Sequence, residues 1–209
     1  MHDKLEIRSY GGDAAPRLDG RTIDGYAIVF NQRSEVMLDW TPENGYRKFV
    51  EVIDPGAVDE DLLLSSDIKA TVEHNRERLL ARHNKGNGTL KLSIHDYGVR
   101  YQFDSPKTQD GDFAIEMISR GDISGSSFAF SVKDKDTVWT KEGDLWVRTI
   151  KRFSGLYDVT ITTDPAYSQT QVSVRSLADM DQELDKPETG DPEPDDSYKV
   201  TLQLLRSKI

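Results

Sequence analysis

The chain of 209 residues is long enough for one sizeable core, or for a domain of about 175 residues carrying a tail. A formal charge of -10 argues against a nucleic-acid partner, whose phosphates demand clustered Lys and Arg, and a chain without cysteine has no disulfide, thiol nucleophile, iron–sulfur cluster or zinc finger. No apolar run approaches the roughly eighteen residues of a membrane span, and Met1–Glu6 lacks a signal-peptide pattern, so a cytosolic protein with no membrane partner is expected.

Leu5-Glu6-Ile7-Arg8 alternates as a first strand and ends at a loop running from Gly11 to Pro16. Arg21 to Phe30 reads as a second strand with a bulge or bend near Gly25. Asn31 to Tyr46 is expected as a long polar excursion before β character resumes at Lys48–Ile53. The Asp54-Pro55-Gly56-Ala57 turn leads into a short helix over 58–64. Ile68 to His74 alternates, which predicts Ile68, Ala70, Val72 and His74 on one core-facing row. Arg76-Glu77-Arg78 is expected as a polar turn, and hairpins follow through Leu79–His83, Thr89–His95 and Val99–Phe103.

Asp112 to Arg120 carries Phe113, Ala114, Met117 and Ile118 at helical spacing, and Gly121 stops it. The chain then enters Gly125-Ser126-Ser127-Phe128-Ala129-Phe130-Ser131-Val132, where the aromatics point one way and Ser127 the other. This places Ser127 at a strand mouth, held rigidly without being buried. Strands at Thr137–Trp139, Leu145–Ile150 and Leu156–Ile161 follow, the last with Tyr157, Val159 and Ile161 inward and Asp158 and Thr160 on the reverse face. Asp164-Pro165 stops that strand, and Thr170–Val174 gives a last strand or helical turn. Strand after strand with short polar turns predicts a mainly β (α+β) fold with a few short helices, built on an antiparallel sheet that curls or closes into a barrel.

Charge divides the chain. From Asp179 to Asp196 there are nine acidic residues and one lysine, whereas the preceding 178 residues carry 28 acidic and 23 basic. The expected organisation is a domain over 1–178, an acidic flexible linker over 179–197, and a short C-terminal segment over 198–209 that is apolar enough to dock.

A serine hydroxyl is a weak nucleophile until a base takes its proton, and imidazole, which ordinarily titrates near neutrality, is the natural base. Of His2, His74, His83 and His95, the one at the end of the apolar row, His74, is the best placed, although the same position suits a half-buried packing residue. A third group must orient the ring, and Asp158, projecting from the far side of its strand, suits this better than the turn residues Asp96 and Asp164. Neither a His-Glu-x-x-His spacing nor an aspartate-rich calcium loop is present, so no metal or other cofactor is expected.

Taken together, Ile23-Asp24-Gly25-Tyr26-Ala27, Asp54-Pro55-Gly56-Ala57, Val72-Glu73-His74-Asn75, Leu79-Leu80-Ala81-Arg82, Ser126-Ser127-Phe128-Ala129-Phe130 and Leu156-Tyr157-Asp158-Val159-Thr160, in that order, resemble the prohead (procapsid) maturation proteases of tailed bacteriophages. That family is distantly similar to herpesvirus assemblin. The resemblance implies an assemblin-like barrel and a serine endopeptidase with Ser127 as nucleophile, His74 as general base and Asp158 as third member. Its oxyanion donors would be backbone N–H groups near Ser127, or a residue or water held by Arg148 or Arg152. Implied substrates are scaffold or the scaffold-like part of the major capsid protein, cut inside the viral procapsid in the host cytoplasm. Self-cleavage and a homodimer fit the same picture. The competing readings are a non-catalytic capsid-assembly or scaffolding β-domain, and a carboxylester hydrolase, which lacks its Gly-x-Ser-x-Gly elbow here.

Overall fold

The computed structural model describes residues 5–41 and 45–164. The strands are β1 Leu5–Tyr10, β2 Arg17–Asp19, β3 Thr22–Val29, β4 Met37–Thr41, β5 Gly45–Ile53, β6 Asp67–Val72, β7 Asn75–Asn84, β8 Asn87–Gly88, β9 Lys91–His95, β10 Gly98–Asp104, β11 Gly125–Ser131, β12 Thr137–Glu142, β13 Leu145–Ile150 and β14 Gly155–Thr162. Among the described residues two α-helices, α1 Glu60–Ser65 and α2 Gln109–Arg120, join the strands with three short 3-10 turns. Asp59 caps α1 through the N–H of Leu62, and Thr108 caps α2 through that of Gly111. Gly121, at φ 79°, closes α2 in the left-handed conformation that glycine adopts without steric cost.

The strands fall into three sheets, ordered β1-β11-β14-β6-β7-β8, β2-β3-β10-β9 and β12-β13-β5-β4. The expected barrel is not formed: among the described residues no sheet closes or curls strongly, and the fold is a mixed α+β one with several sheets. Nor is the pairing wholly antiparallel, because β6 lies parallel to β14 and β5 parallel to β13. Turn chemistry specifies which consecutive strands form hairpins; it is silent about the ends of a sheet, where closure is decided.

Other local expectations are also revised. The excursion over 31–46 contains β4, which pairs with β5, and the polar turn at 76–78 lies inside β7. The bulge expected near Gly25 lies at Ala27, between the pairs Arg100–Tyr26 and Val99–Ile28. Gly25 answers a different need, since a Cβ there would sit 2.7 Å from the Tyr101 hydroxyl.

One face of the six-stranded sheet supplies the core, with Phe128, Phe130, Val159, Ile161, Ala70, Val72 and Ile68 all buried. Phe153 stacks against both Phe128 and Phe130 at centroid distances of 6.0 and 4.5 Å. Each such fully buried ring contributes roughly 2–3 kcal/mol. A bulge at Tyr157 shifts the register of β14 against β11, so Leu156 joins this core and the Tyr157 hydroxyl instead meets Ser131 Oγ at 2.9 Å. The opposite face of the sheet carries Ser9, Ser127, Thr160 and Thr71 in one row across β1, β11, β14 and β6.

Candidate active site

The third residue of β11, Ser127, stands opposite Ser9 of β1 and Thr160 of β14. It does point away from Phe128 and Phe130, but the expectation of an unburied hydroxyl is corrected: β1 flanks β11 along its length and leaves Ser127 0% exposed.

His74 does not end the core-facing row of β6. The strand stops at Val72, and Glu73 and His74 form a two-residue hairpin turn to Asn75 with φ of 53° and 56°. Two successive left-handed residues are the mark of a type I′ turn, and they lift the imidazole out of the strand's alternation. Because β6 and β14 run parallel, with Thr71 beside Thr160 and Val72 beside Ile161, this turn sits against the C-terminal half of β14. From there the ring reaches over the sheet face to side chains of both β11 and β14. Its Nε2 is 2.7 Å from Ser127 Oγ and its Nδ1 is 2.8 Å from Asp158 Oδ1.

Asp158 follows the Tyr157 bulge, pairs with Ala129, and is 8% exposed. An ionised carboxylate only accepts, so Nδ1–H donates to Asp158 and the Nε2 lone pair faces the serine. Ser127 Oγ has two further neighbours, since Ser9 Oγ–H donates to it at 2.9 Å and the Arg8 carbonyl accepts from it at 2.8 Å. Its single proton is thus shared between His74 and the backbone of β1. Ser9 was not singled out in the sequence, where it is one hydroxyl at the end of an ordinary strand.

The other candidates lie elsewhere. Ser126 faces the opposite way and is held by Tyr101 Oη at 2.8 Å and the Ala14 carbonyl at 2.9 Å. His83 is buried against the Leu63 carbonyl, and His95 meets Ser93 in the β9 strand. Asp96 occupies the turn between β9 and β10, and the Asp164 N–H donates to the Thr162 hydroxyl. His2 lies outside the described residues. The two arginines considered for the oxyanion contact Glu6 and Glu51 in one case and Asp59 in the other, not Ser127.

Beside Ser9, Arg8 bonds Glu51 through Nε at 2.8 Å and Glu6 at 2.7 Å, while Arg148 bonds Glu6 at 2.6 Å and Glu51 at 2.9 Å. Burial opposes the charge on Glu6, yet hydrogen bonds from Arg148 and the charges of both guanidinium groups prevail and lower its pKa below the ordinary 4.5. Burial likewise opposes the Arg8 cation, but Glu51 and Glu6 raise its pKa on balance. Tyr10, next along β1, has its phenol pushed up by burial and by Glu51.

A sequence profile described as caudovirus prohead serine protease matches residues 5–183. The chain belongs to that family. Members of the prohead serine protease family carry out maturation cleavage of capsid and scaffold proteins. The matched span contains Ser127, His74 and Asp158, and also the strand β1 that carries Arg8 and Ser9. No curated protein and no solved structure matches this prohead protease. None of the helices among its described residues is long and apolar enough to cross a membrane.

Proposed function

We propose that this prohead protease cuts peptide bonds with Ser127 as nucleophile, His74 as general base and Asp158 as the group that orients the ring. The observation that carries this reading is the continuous Ser127–His74–Asp158 relay, with contacts of 2.7 and 2.8 Å. As Ser127 Oγ attacks the scissile carbonyl, its proton passes to His74 Nε2, and Asp158 stabilises the imidazolium that results. His74 then protonates the leaving amine as the tetrahedral intermediate collapses to an acyl-enzyme. Water, deprotonated by the same nitrogen, releases the acid and restores the serine.

Both sides of β11 are paired along this stretch, so its amides serve the ladders with β1 and β14. Ser9 Oγ, already 2.9 Å from Ser127 Oγ, is a side-chain donor within hydrogen-bond range of the attacking atom. It is well placed to meet the oxyanion. Since Ser127 is buried, acylation follows a local opening that admits the peptide.

The substrates proposed are scaffold or the scaffold-like part of the major capsid protein, met inside an assembled procapsid in the host cytoplasm. In this reading residues 1–178 are the protease domain, and the acidic stretch 179–197, which lies with 198–209 outside the described residues, is the place of self-trimming. A homodimer is compatible with this assignment. The rival reading, an assembly β-domain without hydrolysis, is disfavoured by a serine and histidine in direct contact.

Coexpression of the full chain with the capsid protein encoded beside it, followed by intact-mass measurement, tests the proposal. Wild type is expected to shorten the capsid protein and itself, while Ser127→Ala leaves both at full mass. Cleavage that persists in Ser127→Ala, and in a variant lacking Ser126 as well, rules out the assignment.

A further inference from the structure

Glu73 and His74 both hold positive φ, yet neither is the Asn or Gly that a type I′ turn prefers. A left-handed backbone with full side chains persists only where its surroundings hold it. Here the turn's backbone N–H groups and the Glu73 carboxylate are held by β14 and the residue that follows it. The Glu73 N–H donates to the Ile161 carbonyl at 3.1 Å, and the His74 N–H donates to Thr160 Oγ1 at 3.0 Å. The Glu73 carboxylate accepts from the Thr162 hydroxyl at 2.7 Å and from the Thr163 N–H at 2.6 Å. Thr160 is itself fixed, since its hydroxyl donates to the Thr71 carbonyl at 2.7 Å and accepts from the Thr71 hydroxyl at 2.9 Å.

Asp158, Thr160 and Thr162 stand at i, i+2 and i+4, on one face of one strand. The first takes the imidazole Nδ1, the second the backbone N–H of the same histidine, and the third the side chain of the preceding residue. We infer that Thr160 and the Glu73–Thr162 contact are positioning residues for the hydrolysis, holding the strained turn so that His74 Nε2 stays within proton-transfer range of Ser127. They touch no reacting atom. A hairpin needing only a reversal would be served by Asn-Gly, without a carboxylate clamped across to a neighbouring strand. This inference rests on the Ser127–His74–Asp158 reading proposed above.

The test uses the full chain with Thr160→Val, Thr160→Ser, Glu73→Gln and Glu73→Gly. It measures the labelling rate of the folded fraction by a fluorophosphonate, kcat and KM on a capsid-derived peptide, and thermal stability. Thr160→Val and Glu73→Gly are expected to slow labelling and kcat by about ten- to a hundredfold, as displacement of a catalytic group by an ångström does, with KM within about twofold. Thr160→Ser, which keeps the hydroxyl, restores most of the rate, and Glu73→Gln, which keeps one acceptor, falls between. Glu73→Gly separates position from stability, because glycine relieves the left-handed strain while the clamp is lost. Wild-type labelling per folded molecule in Glu73→Gly, and in Thr160→Val where that variant folds, overturns the inference. Labelling of Ser127→Ala at the wild-type rate would instead overturn the assignment of the nucleophile, and so the two failures are distinguishable.

Discussion

At the scale of single residues, the chemistry turns on where one proton resides. Ser127 Oγ–H has two acceptors at nearly equal distance, His74 Nε2 and the Arg8 carbonyl, and only the first leads to reaction in the proposed mechanism. Asp158 biases the contest by keeping the imidazole proton on Nδ1, so that Nε2 remains an acceptor. Asp158→Asn preserves size but offers an amide donor to Nδ1, which moves the ring proton to Nε2 and removes the base. We expect kcat to fall by about 10⁴-fold with KM little altered, measured by steady-state hydrolysis of a capsid-derived peptide. The type of each of these residues could be read from the chain, and a family resemblance joined them. The position of His74 is not legible, because alternation through Ile68, Ala70 and Val72 extrapolates smoothly into a residue that has already left the strand. Ser9 and Thr160 carry no local signal, since their importance comes from what lies opposite them.

At the scale of elements, small irregularities set the register that the site depends on. The Tyr157 bulge decides which residues of β14 share a face with Asp158, and its effect is to bury Leu156 in place of Tyr157. A second irregularity lies where β10 meets β3, beside Gly98. A Cβ built on Gly98 would fall 1.9 Å from the Ile28 carbonyl oxygen, a backbone atom that cannot yield without parting the strands. Gly98→Ala should therefore cost about 2 kcal/mol or more, read as a lowered denaturation midpoint, with early loss of amide protection along β3 and β10. A wild-type midpoint would show that the strands separate there at little cost. Helix ends, by contrast, are local: the Gly121 stop could be read from the chain, because helix termination needs only neighbours in sequence.

At the scale of the whole molecule, two sheets are joined by buried charge. Glu6 and Arg8 come from β1, Glu51 from β5 and Arg148 from β13, giving two charges of each sign. Removing one member strands its partners, at a cost of about 3–5 kcal/mol, whereas the intact set is closer to neutral in net effect. Because the folded state lowers the pKa of Glu6, its ionised form stabilises the fold above the ordinary value of 4.5, and that contribution is lost as pH falls from there through the folded-state value. Asp67, lowered to about 2 by its hydrogen bond from Arg82, adds to the same acid slope. Glu6→Gln should thus be less stable than wild type at pH 7 and show a shallower loss on acidification below about pH 4.5, as followed by calorimetry. Equal slopes for the two proteins would refute the linkage to Glu6. The same cluster anchors β1, whose next residue, Ser9, donates to Ser127 Oγ.

What the chain determines by itself is local: alternating segments that become strands, capped helices, glycine stops, and the turn-to-strand context of Ser127. What only the tertiary structure decides is which strands share a sheet and which of them run parallel. The cost of closing a loop rises slowly with its length, so strands far apart in sequence can pair on terms similar to nearer ones and leave no mark in either segment. The parallel union of β6 with β14 is such a pairing, and it is what sets a histidine from one strand's end between a serine and an aspartate from two others.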